Sequence, residues 1–271
     1  MLKLICDKTQ SLKEFTQTNY AQASFFWSYL LKNKEIKING KKTDKDVTVY
    51  KGDEICYFLT KKQEEKNAYT ILFEDDNFIV IDKESGVNSE AVYAELKRKD
   101  DNCRFIHRLD RNTEGLMIFA KTEQAENTLL TAFRLRKVEK IYHALCYGTF
   151  DKETEVLTAY LKKDEKTSTV TIFDKKVESS DKIITEYKVL EKRDFKTLVE
   201  ITLHTGKTHQ IRAHLAHVGH PIVGDMKYGD SEKNRAENVS RQKLIAKYLH
   251  IYLEGDFAYI NDKKFTSNFN L

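Results

Sequence analysis

The chain has 271 residues, 40% of them hydrophobic and 32% charged, which describes an ordinary soluble globular protein with room for one large domain and a small one. The net charge of +4 is unevenly placed: residues 1–68 hold thirteen lysines against nine acids, and the rest is balanced at 33 against 33, so a basic N-terminal module is suited to meeting a polyanion. No apolar run approaches membrane-spanning length, the first residues turn charged too soon for a signal peptide, and four scattered cysteines without a Cys-x-x-Cys pair fit a reducing cytosol rather than a disulfide scaffold or a cysteine zinc site.

In chain order, Leu12–Thr18 and Ser24–Leu31 read as two short helices, the second opened by Ser24 and crowded with Phe25, Phe26, Trp27 and Tyr29. Glu35 to Lys42 alternates into a turn at Asn39-Gly40. Val47–Tyr50, the turn Lys51-Gly52-Asp53 and a strand over Ile55–Leu59 complete a small α/β module spanning 1–60. Thr60–Asn67 is polar and is read as a linker over 61–68, which leaves 69–271 as the large domain.

From Tyr69 the pattern is mostly strand. Thr70–Phe73 and Phe78–Asp82 make a hairpin, and Asn88 or Ser89 opens a helix to about Arg98. The charged loop His107-Arg108-Leu109-Asp110-Arg111 lies between expected strands Cys103–Leu109 and Gly115–Lys121, the second nearly all apolar. Thr122 caps a helix to about Arg136. Strands follow at Lys140–Tyr147, Glu155–Leu161, Ser168–Phe173, Ile183–Leu190 and Phe195–Leu203, then a helix from Thr208 to Gly219, then a strand pair near Tyr248–Leu253 and Phe257–Ile260. Many strands with few helices between them predict an α+β fold with a mixed, largely antiparallel sheet.

A carboxylate fixed at a strand end between two arginines is a candidate reactive group, and Asp110 is that residue. On the residues alone, a surface salt-bridge loop is an equal reading. Five histidines between His204 and His220 raise a metal site, but no acid is interleaved as in His-Glu-x-x-His. Asp110 and Glu114, with three residues between them, also admit a glycosidase pair, although such spacing is common. No Walker loop or dinucleotide fingerprint is present in the sequence.

His107-Arg108-Leu109-Asp110-x-x-Thr113-x-Gly115-Leu116 resembles the catalytic motif of the RluA-type RNA pseudouridine synthases. Leu203 to Leu215 followed by Gly219 to Asp225, and Lys140-Ile141-Tyr142-His143-Ala144, are similar to two further motifs of that family, in its order. The resemblance implies a cofactor-free and metal-free isomerase that flips a uridine out of RNA, with ribosomal RNA the expected substrate. It implies Asp110 as the carboxylate that attacks the anomeric carbon or removes a ribose proton to give a glycal. Tyr142 is implied as a ring stacking on uracil and assisting the last proton removal, and Arg212 as the cation that keeps Asp110 ionised. Arg108 fills the space of the flipped base or binds phosphate, Leu203 is a pocket wall and Lys207 a substrate contact. Glu114 stands where the family usually has serine, so it must turn away from Asp110 or oppose its charge.

The N-terminal segment resembles the S-four-like RNA-binding module. Phe25 stands where an arginine is common, which leaves Lys32, Lys34, Lys41 and Lys42 as the candidate phosphate binders. The expected protein is a cytoplasmic monomer that binds RNA and no membrane. Two other classes stay open: a non-catalytic RNA-binding or ribosome-assembly protein on the same fold, and a metal hydrolase built on the histidines.

Overall fold

Inward and outward residues alternate from Leu2 to Ile5, and this period of two makes strand β1 (Leu2–Ile5). In the computed structural model, which describes residues 2–164 and 167–271, β2 (Gln10–Ser11) and three helices follow: α1 (Leu12–Asn19), α2 (Ala21–Phe25) and α3 (Trp27–Lys32). Ser11 caps α1, its hydroxyl accepting the Glu14 N–H at 3.1 Å. The single helix expected over Ser24–Leu31 is broken at Phe26. Ser24 is no cap; it is buried inside α2, where its hydroxyl needs a partner and donates to the Thr16 carbonyl at 3.2 Å.

β3 (Ile36–Ile38) and β4 (Lys41–Thr43) form a hairpin whose turn residues, Asn39 and Gly40, both take positive φ, as this tight turn requires. β5 (Thr48–Val49) pairs with β2, and β6 (Glu54–Tyr57) completes the antiparallel sheet β1-β6-β3-β4. Leu12, Phe15, Trp27, Leu30, Ile36 and Tyr57 fill one buried cluster beneath it. Within the stretch read as a linker, Thr60 and Gln63 close a capping box around a short helix, α4 (Lys61–Glu64).

β7 (Tyr69–Glu74) and β8 (Phe78–Lys83) are the expected hairpin, and α5 runs over Ser89–Lys99. The strand expected over Cys103–Leu109 shrinks to β9 (Arg104–Phe105). Beyond it, side chains replace ladder bonds: His107 accepts the Ile118 N–H at its Nε2, and Ser89 holds the backbone of Leu109. β10 (Glu114–Ala120) is buried throughout, and α6 (Glu123–Arg134) begins where the Thr122 hydroxyl accepts the Ala125 N–H at 3.2 Å. Residues 1–111 and 117–126 form one compact unit, and 112–116 and 127–271 a second.

In the second unit β11 (Val138–Tyr147), β12 (Thr154–Asp164), β13 (Thr169–Phe173), β14 (Asp181–Arg193) and β15 (Lys196–Leu203) precede α7 (Gln210–His217), α8 (Ser231–Ala236), β16 (Leu244–Ile251) and β17 (Lys264–Thr266). They pair in the order β13-β12-β14-β15-β11-β16-β17, each pair antiparallel. Glu114 and Gly115 of β10 pair with Ile245 and Ala246 in parallel, so the sheet is mixed and largely antiparallel, as expected from the strand-rich pattern. Ala213 of α7 packs into the cluster of Ala159, Leu161, Val170, Ile172 and Ile183 on one face of it.

α7 starts at Gln210 rather than Thr208. His209 precedes it in the left-handed conformation, φ 53°, with its ring bonded to the Tyr228 hydroxyl. Phe257–Ile260 is not a strand; it lies in a 3₁₀ turn over Gly255–Ile260, with Phe257 and Ile260 buried one turn apart, and β17 is the last strand. Among the described residues no helix is long and apolar enough to cross a membrane.

Candidate active site

In the first unit the loop of Asp110 is held on both sides of that residue. The Ser89 hydroxyl accepts the Leu109 N–H and donates to the Leu109 carbonyl, both at 2.9 Å, so one buried side chain satisfies both backbone groups. On the other side, the Arg111 carbonyl accepts the Gly86 N–H at 2.8 Å. The Arg111 guanidinium donates to the carbonyls of Gly86 (3.0 Å) and Ser24 (3.3 Å). Asp110 itself is half-buried. Such pinning fixes a reacting group in place before substrate arrives.

Lys83, which the sequence reading passed over, is the third pin. It ends β8 fully buried, and its Nζ donates to the carbonyls of Glu84 (2.9 Å), Val87 (3.0 Å) and Arg111 (3.3 Å). Burial drives its pKa down to about 7, with the charge of Asp110 the first of those opposing the shift. A lysine closing a run of apolar strand residues gives no sequence signal of this kind.

Arg108 turns outward, two-thirds exposed, and pairs with Glu90 at 3.0 Å. The four lysines nominated in the N-terminal module are exposed. Lys34 pairs with Asp44 at 3.3 Å, Lys32 ends α3, and Lys41 and Lys42 lie on β4.

The second unit carries the other nominated residues. Tyr142 is buried in β11 opposite Ile201, next to a register shift against β16 between Ile141 and Tyr142. Arg212 sits on the buried face of α7 and donates from Nε and Nη2 to the two carboxylate oxygens of Asp225, at 2.7 and 2.9 Å. Asp225 Oδ1 also accepts the N–H groups of Lys227 (2.8 Å) and Tyr228 (3.1 Å), and the guanidinium lies over the Tyr228 ring. Burial would raise the pKa of Asp225, but Arg212 and these backbone donors outweigh it and hold the carboxyl below its ordinary value.

Leu203 is half-buried at the end of β15, opposite Thr185. Lys207 is exposed and pairs with Asp181 at 2.9 Å. The turn between them is held by the Gln210 carboxamide, whose oxygen accepts from the Thr205 hydroxyl and the Lys207 N–H. Glu114 is buried and turns to the guanidinium of Arg241, and the neighbouring Thr113 hydroxyl accepts from Gln242 at 3.0 Å. The second carboxylate of the motif therefore has a counter-ion of its own.

Each histidine of the cluster has a separate partner. His204 bonds Glu186, His209 bonds Tyr228, His217 bonds Asp174, and His220 stacks on Phe150. His214 is buried against the Thr185 hydroxyl, and burial lowers its pKa to about 4, so it is neutral at physiological pH. Among the described residues no three His, Cys, Asp or Glu side chains gather as a metal set.

A family model described as RNA pseudouridylate synthase matches residues 77–217, a span containing Asp110, Tyr142 and Arg212. A protein of Chlorobaculum parvum named as an uncharacterized RNA pseudouridine synthase is 30% identical over 89% of this chain and 83% of its own. A ribosomal large subunit pseudouridine synthase C of Rickettsia felis is 33% identical over 74% of this chain and 75% of its own. Among solved structures, human RNA Pseudouridylate Synthase Domain Containing 1 matches with a TM-score of 0.62 at 28% identity, covering 69% of this chain and 79% of that one.

Proposed function

The chain belongs to the RNA pseudouridylate synthase family and is an RNA pseudouridine synthase, an isomerase; on that premise we propose that it acts on ribosomal RNA. The reaction breaks the bond from the ribose anomeric carbon to N1 of uracil and forms one from the same carbon to C5. The C5 proton leaves and N1 gains one, so nothing is consumed overall. The target base must leave its stack, at a cost of a few kcal/mol that is least for unpaired nucleotides.

We assign the ionised carboxylate to Asp110. The observation that carries this is the pinning of its loop from both sides by Ser89, Gly86 and Lys83. Tyr142 stacks on the uracil and assists removal of the C5 proton. Arg212 supplies the positive charge that keeps the carboxylate ionised, the role that the resemblance of its motif implies. Arg108, Leu203 and Lys207 contact the RNA.

Residues 1–60 act as an RNA-binding module through Lys32, Lys34, Lys41 and Lys42, with 61–68 as linker and 69–271 as catalytic domain. Support comes from the buried cluster contained within the module and from the exposure of those lysines. The protein works without cofactor or metal, as a cytoplasmic monomer away from membranes. Mapping pseudouridine in ribosomal RNA from cells with and without this chain tests the reading. Loss of one or more modified positions is expected, and an unchanged map would overturn it.

A further inference from the structure

The first unit contains a cleft of about 520 Å³ beside the loop of Asp110, walled by Thr18 and Asn19 of α1 on one side and by Glu90, Tyr93, Lys97 and Arg98 of α5 on the other. Glu90, Tyr93 and Lys97 follow one another at helical spacing, so they form a single stripe along α5. At one end of the stripe Glu90 holds the exposed guanidinium of Arg108, two residues before Asp110. The stripe therefore leads away from the reactive loop.

We propose that this cleft binds the unpaired RNA segment that flanks the target uridine, an inference that rests on the function assigned above. The chemistry of the walls fits one nucleotide and its phosphate. The Tyr93 ring is half-buried and braced from behind by Phe119, stacked at 6.4 Å, and Phe105 at 5.4 Å, so it is a rigid platform for a base. Lys97 holds its ammonium 5.9 Å from the centre of that ring, where a phosphate joined to a stacked base would meet it. Arg98 donates to a neutral group, the Asn19 carbonyl at 3.0 Å, so its charge adds to the cleft. The charged groups lining the cleft are Lys97, Arg98, Glu90 and Asp101, and Glu90 is engaged by Arg108. The volume falls in the range of a small-ligand site, about 300–1,000 Å³.

The test uses the full chain and a fluorescein-labelled single-stranded oligouridylate. Binding is followed by anisotropy over a series of salt concentrations, with circular dichroism confirming that each variant is folded. Lys97→Gln should flatten the log–log salt dependence by about 0.7, the loss of one single-strand phosphate contact. Tyr93→Leu keeps an apolar side chain against Phe119 but removes the platform, and should weaken binding on the order of tenfold; Tyr93→Phe should bind like the unaltered chain. With 5-bromouridine in the probe, irradiation should cross-link the peptide that contains Tyr93. If the unaltered chain binds the probe while both Lys97→Gln and Tyr93→Leu bind identically to it, the cleft assignment is overturned and the assigned function stands. Failure of the unaltered chain to bind the probe would also overturn the cleft assignment, whereas the assigned function stands or falls on the pseudouridine map of ribosomal RNA.

Discussion

Asp225 grips Arg212 with both carboxylate oxygens, at 2.7 and 2.9 Å, in a place where both side chains are buried. Removing the charge of one partner leaves the other buried and uncompensated. Asp225→Asn should therefore cost about 3–5 kcal/mol in urea unfolding. A loss under about 1 kcal/mol would show that the pair is not closed in solution. The direction with pH follows from the lowered pKa of Asp225. Its contribution is fully present above the ordinary carboxylate range and is lost as pH falls through and below about 4. The unaltered chain should lose stability there, and the asparagine variant should lose less.

Asp110→Asn keeps the shape of the side chain and removes its charge. Product should fall below detection, while affinity for RNA, which rests on other contacts, stays nearly unchanged. Tritium release from uracil C5 measures the first and anisotropy the second. Appreciable turnover by the variant would refute the assignment of Asp110.

Gly115 takes φ +110°, and a Cβ there would stand 2.3 Å from the Ala246 carbonyl oxygen on the neighbouring strand. Both the left-handed backbone and the parallel approach of β10 to β16 require glycine. Gly115→Ala should destabilise the fold by at least the 1–3 kcal/mol typical of such backbone strain, read as a lower urea midpoint. A midpoint within error of the unaltered chain would show that the two strands can move apart at this pair.

The strands β12 to β15 were legible from a period of two, seen in the alternately buried residues Ala159 and Leu161, Val170 and Ile172, Ile183, Thr185 and Tyr187, and Thr197, Val199 and Ile201, and the resemblance placed Asp110, Tyr142 and Arg212 within motifs. What was not legible depends on partners distant in sequence. Phe257 and Ile260 are three residues apart in an apolar tetrad, and only the burial of both, with Ala258 and Tyr259 exposed between them, distinguishes a 3₁₀ turn from a strand. Ser24 has the residue type of a helix cap, yet a carbonyl eight residues earlier claims its hydroxyl. The sequence reading gave Arg212 to the charge of Asp110 and did not foresee Asp225, although Asp225 lay within the quoted motif. The bond depends on how the segment after α7 folds back, which no local pattern encodes. Asn88 or Ser89 was the expected helix opener; Asn88 takes the cap position, and the bonds of Ser89 to Leu109 are a tertiary addition.

Lys83 offers a test of the loop that is independent of catalysis. Its folded pKa of about 7 lies well below the ordinary lysine value near 10.4, because burial disfavours the ammonium more than the charges of Asp110, Glu84 and Glu90 favour it. Between those two values the unfolded chain holds a proton that the folded chain has released. Stability should therefore rise with pH across that window, by up to about 1.4 kcal/mol per pH unit from this one group. Lys83→Met fills similar space without a titrating group. It leaves the carbonyls of Glu84 and Val87 without this donor, while that of Arg111 keeps the Gly86 N–H, so it should be less stable at every pH, by about 1–3 kcal/mol for each group left unsatisfied. That offset does not depend on pH, whereas the contribution of Lys83 does. Urea midpoints at pH 7 and pH 9 separate the two: the unaltered chain should gain stability over this interval relative to the variant. Parallel pH profiles would mean that Lys83 keeps its proton in the fold, held as a full ammonium by the carbonyls of Glu84, Val87 and Arg111. In that case the charge beside Asp110 would be permanent, and the rate of pseudouridine formation should show no inflection near pH 7.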